Sequence, residues 1–217
     1  MKRRVASSGE SGFTKWELLI IVAVLAVLVG LLLPALAKRN IKTKRIGCVS
    51  NLKQIGLSFR MWANEWGEKF PWQLATANGG TRELLGPRDA FRHFLTISND
   101  LSTPKILACS SDTERTRVFR WEGFTSNKHL SYFIGLDADE TRPQTILSGD
   151  RSISTNAQFL AGLVLFKTNS PIQWVDGIHG AAGNVALGDG SVQQFVRNSL
   201  ANLFAADTNE VVRLLIP

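Results

Sequence analysis

From Leu18 to Ala37 the chain runs twenty positions without a charged side chain, with Pro34 as the single proline. At about 1.5 Å per residue a helix of that length spans about 30 Å, the thickness of a bilayer core. After a basic cluster, Cys48, Leu52, Ile55, Phe59, Trp62 and Trp66 recur at steps of four and three, one apolar stripe of an amphipathic helix. Lys53, Gln54, Arg60, Asn64 and Glu65 fall off the stripe, and Gly67 and Pro71 mark the helix end. The pattern predicts one long helix over 13–66, its first half suited to lipid and its second half packed on something apolar. Beyond it, "PRDAFRHFL" reads as a short helix. "KILACS", "LSYFIGL", "QTILSGD" and "GNVALGDGSVQQFV" read as short strands, the last folded into a hairpin around Asp189-Gly190. "RNSLANLFAA" adds a short helix and "EVVRLLIP" a closing segment. The expected fold is α+β, a long N-terminal helix lying across a small antiparallel sheet with one apolar face.

The net charge of +7 suggests nucleic acid until it is located. Nine of the 25 Lys/Arg and only two of the 18 Asp/Glu lie within residues 1–47, so the remaining 16 of each sign cancel over residues 48–217. The excess flanks the apolar run, where it meets anionic headgroups, and the body has no surplus to neutralise phosphates. Nucleic acid is therefore not an expected partner. The two cysteines, Cys48 and Cys109, lack metal-ligand spacing; they form either one bridge across about 60 residues or two buried thiols.

The N-terminus allows three readings. Lys2-Arg3-Arg4 ahead of the apolar run suits a single-span anchor with a cytoplasmic N-terminus. "PALA" at 34–37 offers a small-x-small site for a secretory signal cut after Ala37, although the apolar run exceeds the usual length of such a signal. The third reading starts from Gly12-Phe13-Thr14 and Glu17, a carboxylate at the lip of the apolar run. This stretch resembles the signature of type IV prepilins and type II secretion pseudopilins, in which a basic leader ends at a glycine. The resemblance places Phe13 as the new N-terminus and Glu17 fifth; Lys15 and Trp16 stand where the family has aliphatic residues. It implies cleavage between Gly12 and Phe13 by a prepilin peptidase, methylation of the new amine, and pairing of Glu17 with the amine of a neighbouring subunit. An unpaired carboxylate in hydrocarbon is costly, so such pairing makes Glu17 a register device for assembly. The implied organisation is a leader over 1–12, a transmembrane helix over 13–37, its amphipathic continuation over 38–66 and an extracytoplasmic α+β domain over 67–217, the arrangement of the pilin fold.

Near the C-terminus, His179 stands ten residues before Asp189-Gly190. With "CVSNLKQIGLSF" at 48–59, "CSSD" at 109–112 and "SYFIGL", it resembles the H-x9-DG pseudopilin-like family of planctomycete and verrucomicrobial bacteria. Bottom-up, Asp189-Gly190 is a tight turn with the carboxylate capping backbone amides, and His179 is expected to hydrogen-bond to that hairpin and pin the loop before it. Alternatives are a metal or a ligand, or His179 as a general base oriented by Asp189. No nucleophile elbow appears, and His93 and His129 belong to no spacing motif. The resemblance implies no cofactor, although related pseudopilins hold calcium in a C-terminal loop, which makes Asp176 and Asp189 weak candidates for an ion.

These observations lead to a non-enzymatic pseudopilin- or minor-pilin-like subunit of the inner membrane, whose partners are a prepilin peptidase and other pilin-like subunits. The rivals are a membrane-tethered hydrolase using His179 and Asp189, and a secreted binding module released after Ala37 with Trp72, Trp121 and Trp174 as a carbohydrate platform.

Overall fold

The computed structural model describes residues 14–155, 158–167, 170–196, 199–206 and 211–217; the side chains of 32–42, 158–159 and 205–206 lie outside the description. Helix α1 runs Lys15–Glu65. The chain divides into two compact units, residues 1–42 and residues 43–217. In the first unit, every described side chain from Leu18 to Leu31 is exposed. Among the described residues no helix is long and apolar enough to cross a membrane. The rest of the expected span, 32–37, falls where side chains are not described, and Gly12 and Phe13 also lie outside the described residues.

The second unit is α+β. Besides the end of α1 it holds, among the described residues, α2 (Ala90–Thr96), α3 (Leu200–Ala206) and nine strands: β1 (Tyr132–Gly135), β2 (Ile146–Asp150), β3 (Ile153–Thr155), β4 (Gln158–Phe159), β5 (Gly162–Lys167), β6 (Ile172–Trp174), β7 (Ala182–Leu187), β8 (Val192–Val196) and β9 (Val211–Ile216). Six strands form one sheet in the order β5-β9-β1-β2-β7-β8, and three form a second in the order β4-β3-β6. Among the described residues, every pairing between these strands is antiparallel.

The larger sheet is covered on both faces, not on one as the sequence suggested. Side chains alternate across a strand, so β1 sends Tyr132 and Ile134 to one core and Phe133 to the other. The first core contains the α1 stripe Cys48, Leu52, Ile55, Phe59 and Trp62, all buried, together with Phe70, Trp72 and Phe94. Phe59 sits at its centre, edge-on to Phe70, Trp72 and Phe94 with ring centroids 5.3 to 6.5 Å away. The second core joins Phe133, Val185 and Leu214 to Trp174 of the small sheet and Phe204 of α3. Trp66, assigned to the stripe, lies just past the helix end, stacked on Trp62 and 42% exposed. "KILACS" is not a strand: Pro104–Leu107 is a 3-10 turn, opened by Pro104 and capped by the Thr103 hydroxyl, which accepts from the Lys105 amide.

The tryptophan platform does not form. Trp72 and Trp174 are buried, and Trp72 Nε1 donates to the carbonyl of Ala138.

Candidate functional site

The start of α1 is built by two residues. The Thr14 amide and hydroxyl donate to Glu17 Oε2 at 2.7 and 2.8 Å, and the Glu17 amide donates back to the Thr14 hydroxyl at 3.3 Å. This reciprocal pair is a capping box, Thr-x-x-Glu, which satisfies amides that have no partner inside the helix. Glu17 thus has a partner in its own chain, a role the sequence reading missed although Thr14-Lys15-Trp16-Glu17 spells it.

The Asp189-Gly190 turn joins β7 to β8. Asp189 Oδ1 accepts from the Ser191 amide at 2.8 Å, and Gly190 takes φ +81°. The turn seats on α1. Arg60 Nη1 donates to the Asp189 carbonyl at 2.9 Å, and a Cβ placed on Gly56 would lie 3.4 Å from the Gly190 Cα.

His179 does not bond to that turn. Its Nε2 lies 3.5 Å from Cys109 Sγ and 3.6 Å from Asp150 Oδ2, with the side chain almost wholly buried. Asp189 is held by Arg60 and Ser191, so His179 and Asp189 share no partner and the proposed acid–base pair is not assembled. A histidine relay also needs its two ring nitrogens engaged separately, whereas here sulfur and carboxylate both face Nε2.

Around His179 lies a buried polar cluster. Cys48 of α1 and Cys109 are joined by a disulfide with their Cα atoms 5.6 Å apart. Asp150, at the end of β2, is fully buried; its Oδ2 accepts from the backbone amide and the side-chain amide of Asn184, both at 2.8 Å, while Oδ1 has no hydrogen-bond partner among the described residues. Burial raises the Asp150 carboxyl to about 7. Burial, helped by the Arg45 guanidinium, lowers His179 to about 4. Both shifts favour the neutral form of each group. Arg45 reaches the same region, donating to the carbonyls of Gly183 and Phe195 at 3.4 and 3.3 Å. Counted from sequence as part of the basic membrane flank, it bonds instead to the β7–β8 hairpin.

The "CSSD" segment is fixed by a chain of bonds. The Cys109 amide donates to Ser131 Oγ, which donates to Asp112 Oδ2 at 2.8 Å, and Arg151 grips both Asp112 oxygens at 2.9 and 3.0 Å. Burial alone would raise Asp112, but the Arg151 guanidinium and the Ser131 hydroxyl outweigh it and hold the carboxyl below its ordinary range. A cleft of about 200 Å³ opens beside this segment, lined by residues that include Asp112, Glu114, Arg151 and Asp176.

No family model, curated protein or solved structure matches this chain.

Of the ion candidates, Asp176 lines the cleft and Asp189 sits in the turn on α1. Among the described residues, the group whose ligand atoms converge within 4.8 Å of one another is Cys48, Cys109 and His179. Sequence reasoning missed Asp150, the pairing of Asp112 with Arg151, and the bonds of Arg45. The available signals were "CSSD", which places Asp112 in a motif without naming its partner, and "SGD", a carboxylate closing a strand.

Proposed function

We propose that the chain is a non-enzymatic, pseudopilin- or minor-pilin-like structural subunit of the inner membrane. It is cut between Gly12 and Phe13 by a prepilin peptidase, methylated on Phe13, and stacked through its N-terminal helix beside other pilin-like subunits for secretion or surface display. Its body lies outside the cytoplasm.

The observation that carries this reading is the contrast within α1. The uncharged side chains from Leu18 to Leu31 are exposed, whereas the stripe Cys48, Leu52, Ile55, Phe59 and Trp62 is buried in the body. So much contiguous apolar surface needs lipid or neighbouring helices to remove it from water. The prepilin-like pattern Gly12-Phe13 with Glu17 supplies the processing step, and a helix packed on an antiparallel sheet suits a pilin-like body. A disulfide suits an oxidising compartment.

The test is the N-terminal residue of the protein purified from membranes of its native host, read by mass spectrometry. N-methylated Phe13 is expected. An intact Met1, or a chain starting at Lys38, overturns the proposal.

A further inference from the structure

The disulfide, the histidine and the buried carboxylate form more than a covalent staple. We propose that the Cys48–Cys109 pair is a redox-gated metal site: once reduced, its two sulfurs and His179 Nε2 take up a zinc-class divalent cation, with Asp150 as the adjoining carboxylate.

The geometry carries the inference. The two sulfurs and the imidazole nitrogen all lie within 4.8 Å of one another, and Cys109 Sγ stands 3.5 Å from His179 Nε2. In tetrahedral zinc coordination, bonds of about 2.3 Å to sulfur and about 2.0 Å to nitrogen put those two ligands roughly 3.5 Å apart. One edge of the polyhedron is therefore already in place. The sulfurs must part to roughly 3.8 Å, which follows once the bond between them is broken. Soft thiolates with imidazole select zinc over calcium or magnesium. Asp150 supplies an independent observation: it is fully buried, its Oδ2 lies 3.6 Å from His179 Nε2, and among the described residues its Oδ1 has no hydrogen-bond partner. A buried carboxyl oxygen left without a partner is costly, and a cation beside the carboxyl lowers that cost by favouring its ionised form. A cleft lined by Ser111, Asp112, Glu114, Arg151, Asp176 and Ile178 lies among chain neighbours of Cys109 and His179.

The chemistry balances. A phosphine reductant and one water convert the disulfide to two thiols, the phosphine leaving as its oxide; a dithiol does the same by closing to its own disulfide. Metal binding then displaces both thiol protons to solvent, and neutral His179 offers the lone pair of Nε2 with its proton on Nδ1. Two thiolates cancel the charge of a divalent ion.

The experiment is a cobalt titration of the full chain in detergent, anaerobically, with and without a phosphine reductant. Reduced protein is expected to bind one cobalt per chain, with thiolate-to-cobalt charge-transfer absorption and the intense visible bands of a tetrahedral site, both lost on adding zinc. Oxidised protein should show neither. His179→Ala should weaken binding by about tenfold or more. If that variant does not fold, X-ray absorption on the reduced zinc-loaded wild type replaces it: two sulfurs and at least one imidazole nitrogen are expected, and sulfur without nitrogen overturns the site. A reduced chain that loses its fold and regains it with metal supports the proposal. A chain that stays unfolded at saturating metal, shows no charge-transfer band, or binds cobalt equally when oxidised overturns it.

Discussion

Arg60 Nη1 of α1 donates to the carbonyl of Asp189 at 2.9 Å, so the Asp-Gly turn is a foot on which the helix rests. Gly190 holds φ +81° beneath it, a conformation that costs a residue with a side chain about 1–2 kcal/mol. Gly190→Ala is expected to lose that much in urea unfolding. An unchanged midpoint would remove the turn from the list of structural anchors.

Asp112 and Arg151 form a two-pronged pair, with Asp112 buried and Arg151 12% exposed. Removing one partner of a buried ion pair costs about 3–5 kcal/mol when the other is left stranded. Arg151 also holds the exposed Glu114 carboxylate, so Asp112→Ala is expected to fall at or below the lower end of that range by chemical denaturation. A double-mutant cycle with Arg151→Met should return a clear coupling energy, and additive losses would contradict it.

The Cys48–Cys109 bond closes a loop across a separation of 61 residues. Chain-entropy arguments give it about 4 kcal/mol. Cys48→Ala/Cys109→Ala, measured without added metal, should unfold at correspondingly lower denaturant; a shift below about a quarter of that value would mean the bridge is not a major source of stability.

His93 is buried between two partners. Its Nδ1 accepts from the Thr81 hydroxyl at 2.7 Å and its Nε2 donates to the Leu84 carbonyl at 2.9 Å, which fixes a neutral ring. Burial is the main reason its pKa falls from 6.5 to about 4. Between those values the unfolded chain binds a proton that the folded chain refuses, so stability is full above about pH 6.5 and declines as pH falls toward 4. The contribution is about 3 kcal/mol. Urea titrations at pH 7 and pH 4.5 should show the decline in the wild type and a smaller one in His93→Gln; equal declines would exclude His93 as the source.

Glu17 has two candidate tasks that one pair of variants separates. Glu17→Gln keeps an oxygen for the Thr14 amide but removes the charge, whereas Thr14→Ala keeps the charge and breaks the capping box, at about 1 kcal/mol. If Glu17 pairs with a neighbour's amine, Glu17→Gln should reduce cross-linked oligomers in membranes severalfold and Thr14→Ala should not. The opposite ranking would leave Glu17 a helix cap.

What the sequence disclosed was mostly local. The α1 stripe shows in the spacing of Cys48, Leu52, Ile55, Phe59 and Trp62, and the β7–β8 hairpin shows because Asp189-Gly190 is chemically suited to its turn. Strands β3, β4, β5 and β6 escaped notice: β3, β4 and β6 have two or three residues each, β3 buries the hydroxyl of Ser154, and β5 is a six-residue run, GLVLFK, in which no polar residue alternates with the apolar ones. The partners of His179 were out of reach for another reason. Cys109 is 70 residues away in sequence, and nothing local signals that a histidine ahead of a hairpin turns toward a disulfide. Arg45 shows the same limit, since its charge was legible but not the carbonyls that receive it.

Because Cys48, Leu52, Ile55, Phe59 and Trp62 are wall residues of the interior, α1 cannot be trimmed back to the first strand without opening the body to solvent. A recombinant fragment for crystallisation should therefore begin near Thr43, where the second compact unit starts, and one beginning after Trp66 should be recovered only as inclusion bodies.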